Sequence, residues 1–227
     1  MMALQSYQRE FIELLVQAEA LKFGTFTLKS GRIAPYFLNV GSFYTGERLH
    51  ALGRFYAAAM VHSGLEFDVI FGPAYKGIPL SVVTTSVLFS EFKKNASYCF
   101  NRKEAKDHGA DQGSVLVGAP LNSETRVVLI DDVITAGTAI RESLDILKAH
   151  GGPKVKGIFI ALNRMEKNND DKNALLEIEK TLGVKVYSIV TLDDVIEALH
   201  NKEVGGRVYI DDVQMEIITN YRKQYGV

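Results

Sequence analysis

"VVLIDDVITAGTAIRE", residues 127–142, decides how the rest of the chain is read. Four apolar residues without a polar break fit a strand buried on both faces, as in a parallel sheet. Asp131 and Asp132 follow, and then Thr135, Ala136, Gly137, Thr138 and Ala139 precede helical periodicity. Small residues let backbone N–H groups converge on an anion, and a helix N-terminus adds unsatisfied donors and partial positive charge. Ligands of open α/β sheets gather at the carboxyl ends of strands. A phosphate cradle preceded by two carboxylates points to a sugar phosphate, with the acids accepting hydrogen bonds from ribose hydroxyls. The plainer alternative is a helix start capped by Asp, with no ligand.

The tripeptide Asp-Asp-Val returns in "TLDDVIEAL" (191–199) and "YIDDVQMEI" (209–217). Neither copy is followed by a small-residue loop, so both are predicted as N-caps or first-turn acids. "GPAYKGIP" (72–79) has glycines at P-loop spacing, but Ile78 and Pro79 stand where Lys and Ser/Thr belong. No G-x-G-x-x-G follows a strand. These absences argue against a P-loop NTPase and a Rossmann dehydrogenase.

Around this centre, strand and helix patterns alternate. Helices are predicted over 7–21 (with Phe11, Leu14, Leu15 and Ala18 on one face), 46–63, 78–94, 138–150 and 173–183, and a last one runs to Tyr225. A hairpin is predicted over 23–40. Strands are predicted at the start of 67–77 and over 97–102, 114–118, 126–130, 155–163 and 184–190, while 200–212 is the least readable segment. This order implies an α/β fold with a mostly parallel central sheet flanked by helices. No linker or low-complexity tract divides the chain, so residues 1–227 are read as one domain with an N-terminal cap.

The composition is that of a globular protein, 47% hydrophobic and 23% charged over 227 residues. Net charge is −1, so no global field draws the chain to nucleic acid or a membrane, and any anion site is local. A single cysteine, Cys99, excludes an internal disulfide framework and fits a reducing compartment. No basic-then-apolar leader opens the sequence, and no stretch approaches the roughly 20 apolar residues of a membrane span. The expectation is a soluble, cytoplasmic protein.

"RKEAKDHGADQG" (102–113) has four potential cations amid three acids and no apolar anchor beyond two alanines. It reads either as solvated surface or as a mobile lid that closes over a polyanion and excludes water.

The pattern of four apolar residues, two acids and a small-residue loop resembles the type I phosphoribosyltransferases. Together with "FTLKSGR" (26–32), "APYFLN" (34–39), "FGPAYKGIP" (71–79) and "FNRKEAKDHG" (100–109), it is similar to the orotate phosphoribosyltransferases. The likeness runs from about Tyr7 to Val190, and the terminal "YRKQYGV" shares it. It implies the type I fold with an N-terminal hood (about 1–45, joined by the C-terminal segment) and a flexible catalytic loop. Asp131, Asp132, Val133, Ile134, Thr135, Ala136, Gly137, Thr138 and Ala139 would hold the ribose and 5′-phosphate of phosphoribosyl diphosphate (PRPP). Tyr75, Lys76 and Lys29 would face the rest of PRPP. Arg102, Lys103, Lys106 and His108 would bind it from the catalytic loop, which in the family crosses a homodimer interface into the neighbouring site. Phe37, Leu38, Thr135 and Arg164 would contact orotate, a guanidinium being suited to a carboxylate.

The implied reaction joins orotate and PRPP to give orotidine 5′-monophosphate and diphosphate, with oxocarbenium character at ribose C1. Lys106 and His108 are the first candidates to stabilise the leaving diphosphate, with Lys76 and Lys103 assisting. Mg²⁺ would arrive on PRPP, since the sequence holds no His/Cys cluster for a dedicated metal cage. Two departures stand out. The family usually reads Leu-Asp-Arg where this chain has Leu162-Asn163-Arg164, leaving a neutral amide to orient the arginine. The second half of the loop (109–118) is also longer and less glycine-rich. A transferase for a purine or other base, and a non-catalytic PRPP-binding regulator, are the competing readings.

Overall fold

The computed structural model of the chain describes residues 4–28, 31–104, 115–134, 137–168 and 171–227. Helix α1 (Ser6–Gln17) buries Phe11, Ile12, Leu15 and Val16 on one face. It ends sooner than the 7–21 periodicity predicts. Glu19 turns left-handed at φ 53°, and the N–H groups of Ala18 and Ala20 bond back to the Leu14 and Leu15 carbonyls. Leu21 is thereby released to open β1 (Leu21–Thr27), which pairs antiparallel with β2 (Ile33–Leu38). Pro35 is tolerated because this two-stranded ribbon leaves one edge of each strand unpaired.

Next come α2 (Gly46–His62), β3 (Val69–Gly72), α3 (Gly77–Phe92), β4 (Ser97–Asn101) and β5 (Leu116–Gly118). β6 (Arg126–Asp131), α4 (Thr138–Ala149), β7 (Lys154–Asn163), α5 (Ala174–Leu182), β8 (Val186–Thr191) and α6 (Leu192–Leu199) continue the alternation. The six-stranded sheet runs β5-β4-β3-β6-β7-β8, parallel throughout except for β5 at one edge.

Residues of β6 divide between two cores with the period of a strand. Val128 and Ile130 join the larger core with α1, α2, α3 and α6, while Val127 and Leu129 join Ile140 and Leu147 of α4 on the other side. Ile158 and Ile160 of β7 likewise oppose Phe159 and Ala161. A strand covered on both faces needs apolar residues at every position, which is why "VVLI" shows no alternation.

The segment 200–212 forms a small hairpin, β9 (Glu203–Val204) with β10 (Arg207–Val208). Gly205 and Gly206 take its turn at φ 58° and 81°, a conformation that suits glycine. Helix α7 (Asp212–Tyr225) closes the described chain and packs on β2. The later acidic pairs are helix starts. Thr191 caps α6 in a reciprocal box with Asp194, and Asp211 caps α7 by accepting from Gln214 N at 2.7 Å. No helix among the described residues is long and apolar enough to cross a membrane.

Candidate active site

β3 and β6 are neighbours in the sheet, but the chain leaves them in opposite directions, β3 toward β4 and β6 toward β7. Such a reversal opens a crevice at the strands' carboxyl ends. The segments 73–76 on one side, and 132–134 with Gly137 on the other, flank it.

The first loop is tight. A Cβ on Gly72 would collide with the Gly77 carbonyl, and Gly77 N donates to Pro73 O at 2.9 Å. The Ala74–Tyr75 peptide is cis. Ala74 N donates to the buried Asn101 Oδ1 at 3.0 Å, and Asn101 Nδ2 donates to Arg102 O at 3.2 Å. This asparagine therefore ties the loop to the start of the charged segment after β4. Tyr75 is exposed, and Lys76 reaches across to Asp132 Oδ2 at 2.8 Å.

The second loop is anchored from below. Tyr56, fully buried in α2, donates its hydroxyl to the Asp131 carbonyl at 2.7 Å. Asp132 N donates to Asp131 Oδ1 at 2.9 Å, and Val133 N to Asp132 Oδ1 at 2.8 Å. Val133 packs on the larger core and Ile134 on the smaller, so the loop has an apolar foot on each side of the sheet. Burial and the adjacent Asp132 carboxylate push the Asp131 carboxyl up to about 7, against the opposing pull of Lys76.

Two helix starts open at this site. Gly137, at φ 69° against Ile178, begins α4 with no side-chain cap, and Lys76 begins α3 with none. By contrast α2, α5, α6 and α7 carry the caps Thr45, Asn173, Thr191 and Asp211. The two helices that open at the crevice thus meet no capping side chain among the described residues, an arrangement suited to anionic oxygens. Thr138 and Ala139, in the first turn of α4, are exposed.

Arg102 and Lys103 follow β4. The Arg102 backbone N–H bonds to Val115 O at 2.7 Å, while its buried Nε has no hydrogen-bond partner among the described residues. Lys103 is exposed. Lys29, Lys106, His108, Thr135 and Ala136 lie outside the described residues.

Arg164 follows β7 with its side chain 16% exposed, and its partner is Glu166, at 3.3 Å. Asn163, the neutral amide beside this arginine, has a second task. Asn163 Oδ1 accepts from Met165 N at 2.8 Å, a turn contact that helps Met165 adopt φ 53°. Glu166 carries the charge instead, and accepts from the Tyr36 hydroxyl at 2.8 Å. Phe37, next in β2, is half-exposed and stacks on Phe26 with centroids 5.6 Å apart. Leu38 is buried in the larger core.

The sequence reading missed Tyr56, Asn101 and Glu166. Asn101 adjoins Arg102 and Glu166 stands two residues past Arg164, whereas no local pattern marks Tyr56. No group of three or more His, Cys, Asp or Glu among the described residues could hold a metal ion.

The sequence pattern of the phosphoribosyl transferase domain family matches residues 39–191. An orotate phosphoribosyltransferase of Yersinia enterocolitica is 51% identical over 99% of this chain and 100% of its own length. The one from Clostridium acetobutylicum is 47% identical over the same shares. Among solved structures, orotate phosphoribosyltransferase of Francisella tularensis superposes with a TM-score of 0.81 at 37% identity, covering 96% of this chain and 100% of that one. The acid pair between two uncapped helix starts and the likeness along nearly the whole chain agree, and this chain belongs to the orotate phosphoribosyltransferase family of type I phosphoribosyltransferases.

Proposed function

We infer that the protein transfers the 5-phosphoribosyl group of PRPP to orotate, giving orotidine 5′-monophosphate and diphosphate on the route to UMP. The observation that carries this reading is the pair of uncapped helix starts flanking Asp131, Asp132 and Lys76, in a chain of this family.

The start of α4, with the loop 133–139, takes the 5′-phosphate on backbone N–H groups. Asp131 and Asp132 accept from the ribose hydroxyls. The loop 73–76 takes the diphosphate, where Lys76 exchanges its carboxylate partner for phosphate oxygens. Arg164 receives the orotate carboxylate beside Phe37 and Leu38. With both substrates held, the C1–O bond to diphosphate breaks as orotate N1 bonds to C1. Positive charge grows on the sugar and negative charge on the departing oxygens, so fixed cations near diphosphate lower the barrier. Lys76 and Lys103 serve there, with Lys29, Arg102, Lys106 and His108 completing the cationic set. No side-chain nucleophile is needed.

Mg²⁺ is assigned to the diphosphate of the substrate. The fit is through the ligand, because in this reading Asp131 and Asp132 are turned to the ribose hydroxyls while the diphosphate oxygens are hard donors suited to Mg²⁺. Bound in that way it supplies neutralisation of phosphate charge. The chain is assigned to one cytoplasmic domain acting on small molecules, with the hood formed by about residues 1–45 and the C-terminal segment. It works as a homodimer that shares the loop after Arg102. Exposed Val82 and Phe89 on α3 and Tyr98 on β4 offer apolar surface for the partner copy.

The test is an absorbance assay of orotate consumption with PRPP and Mg²⁺, with and without chelator, beside uracil, adenine and hypoxanthine. Turnover of orotate alone, lost with chelator, is expected. Failure of orotate while another base reacts would sink the reading.

A further inference from the structure

Glu166 is the buried carboxylate that the reaction just described leaves without a task. Its residue is 8% exposed, and its two oxygens face two different groups. Oε1 accepts from Tyr36, itself 1% exposed, at 2.8 Å, and Oε2 lies 3.3 Å from an Arg164 nitrogen. The glutamate is thus held from the hairpin side and holds the arginine in turn.

The backbone around it is fixed as well. Glu166 bridges to Gly226, Lys167 N bonds to Tyr225 O at 2.7 Å, and Val227 N bonds to Met165 O at 3.0 Å. Arg32 donates to the Lys167 and Asn168 carbonyls and lies 4.7 Å above the Tyr225 ring. The Tyr221 hydroxyl lies near enough to Glu166 that burial first and the Glu166 charge next push its pKa up.

We propose that Glu166 is a positioning residue for base selection, fixing the Arg164 guanidinium so that it meets the 6-carboxylate of the pyrimidine. This rests on the orotate reading above. An arginine on a long, flexible stem loses several rotamers when it binds an anion, and a buried partner removes that freedom in advance. A carboxylate on one side of the guanidinium leaves the opposite edge of its planar fork geometrically suited to a second carboxylate. Glu166 does not touch substrate. Its effect is confined to ligands that carry the carboxylate.

The test compares Glu166→Gln and Tyr36→Phe with the parent, measuring KM for orotate, KM for PRPP, and inhibition by uracil-6-carboxamide, an analogue without the negative charge. Glu166→Gln keeps the volume and an acceptor for Tyr36 but removes the charge that holds Arg164. The expected result is a rise of about tenfold or more in orotate KM, with PRPP KM and inhibition by the carboxamide unchanged. Tyr36→Phe is expected to shift orotate KM in the same direction by a smaller factor. In an Arg164→Lys background the Glu166→Gln effect should vanish, since the two residues act as one unit. Equal losses toward orotate and PRPP in both variants, or an unchanged orotate KM in a folded Glu166→Gln enzyme, would overturn the proposal. If the parent itself does not consume orotate, the reading of the reaction falls and the proposal with it.

Discussion

Lys76 Nζ lies 2.8 Å from Asp132 Oδ2, so one ion pair closes the loop after β3 onto the loop after β6. The lysine side chain is 59% exposed, while the aspartate is 10% exposed. Exposed lysine pairs contribute about 0–1 kcal/mol. Lys76→Ala also leaves the largely buried Asp132 carboxylate without its cation, so a modest fall in the melting temperature is expected. If the ammonium takes up diphosphate charge, kcat/KM for PRPP should fall by about 10²–10³-fold. Steady-state kinetics beside a thermal melt check both halves, and normal kinetics would remove Lys76 from the polyanion site.

Asp131 offers a pH test. Its carboxyl is pushed from an ordinary 3.8 up to about 7 by burial and by Asp132. Between those values the unfolded chain has released the proton and the folded chain keeps it, so this residue makes stability fall as pH rises from about 4 to about 7. Asp131→Asn should stabilise the ligand-free protein, by an amount that grows across that window and then levels off. The same variant should lose PRPP turnover. Urea unfolding at several pH values reads the first effect, and a parallel difference at every pH would contradict the assignment.

The second Asp-Asp-Val supplies the converse case. Asp194 accepts from Thr191 N at 2.7 Å and Thr191 Oγ1 accepts from Asp194 N at 3.2 Å, a closed box remote from the crevice loops in sequence. Thr191→Ala should cost about 0.5–2 kcal/mol of stability, the usual worth of such a cap, with KM and kcat unchanged. Chemical denaturation and the orotate assay together separate this copy of the tripeptide from the one at residues 131–133.

Cys99, buried between β3 and β5, has its thiol pushed up to about 11 by burial. The thiolate is the reactive form. The native protein should therefore resist thiol-modifying reagents at neutral pH and react once unfolded. Rapid labelling of the folded enzyme would show that the β3-β4-β5 edge opens.

Much of this architecture was legible because both-sided burial writes itself into the chain as unbroken apolar runs, as at Val127 to Ile130. The uncapped start of α4 was legible for a local reason, since the small residues around it are neighbours in sequence. The early end of α1 was not, because it depends on Glu19 adopting a left-handed turn that no apolar periodicity reports. The support of Arg164 was invisible for a different reason. Tyr36 and Glu166 are 130 residues apart, and only the completed fold brings their side chains together. The acid paired with Arg164 stands two positions beyond it, while the adjacent Asn163 accepts from Met165 N.

The contacts among Tyr36, Glu166, Tyr225 and Arg32 carry a consequence for redesign. If Arg164 meets the base as proposed, choice of base is not a property of one interchangeable segment, because the hairpin, the turn after β7 and the chain end interlock. Exchanging the hairpin alone for that of a relative with another base preference would strand a buried carboxylate without its hydroxyl. Altered specificity would then be reached more economically by moving the three pieces as a set, leaving the loops after β3 and β6 as they stand.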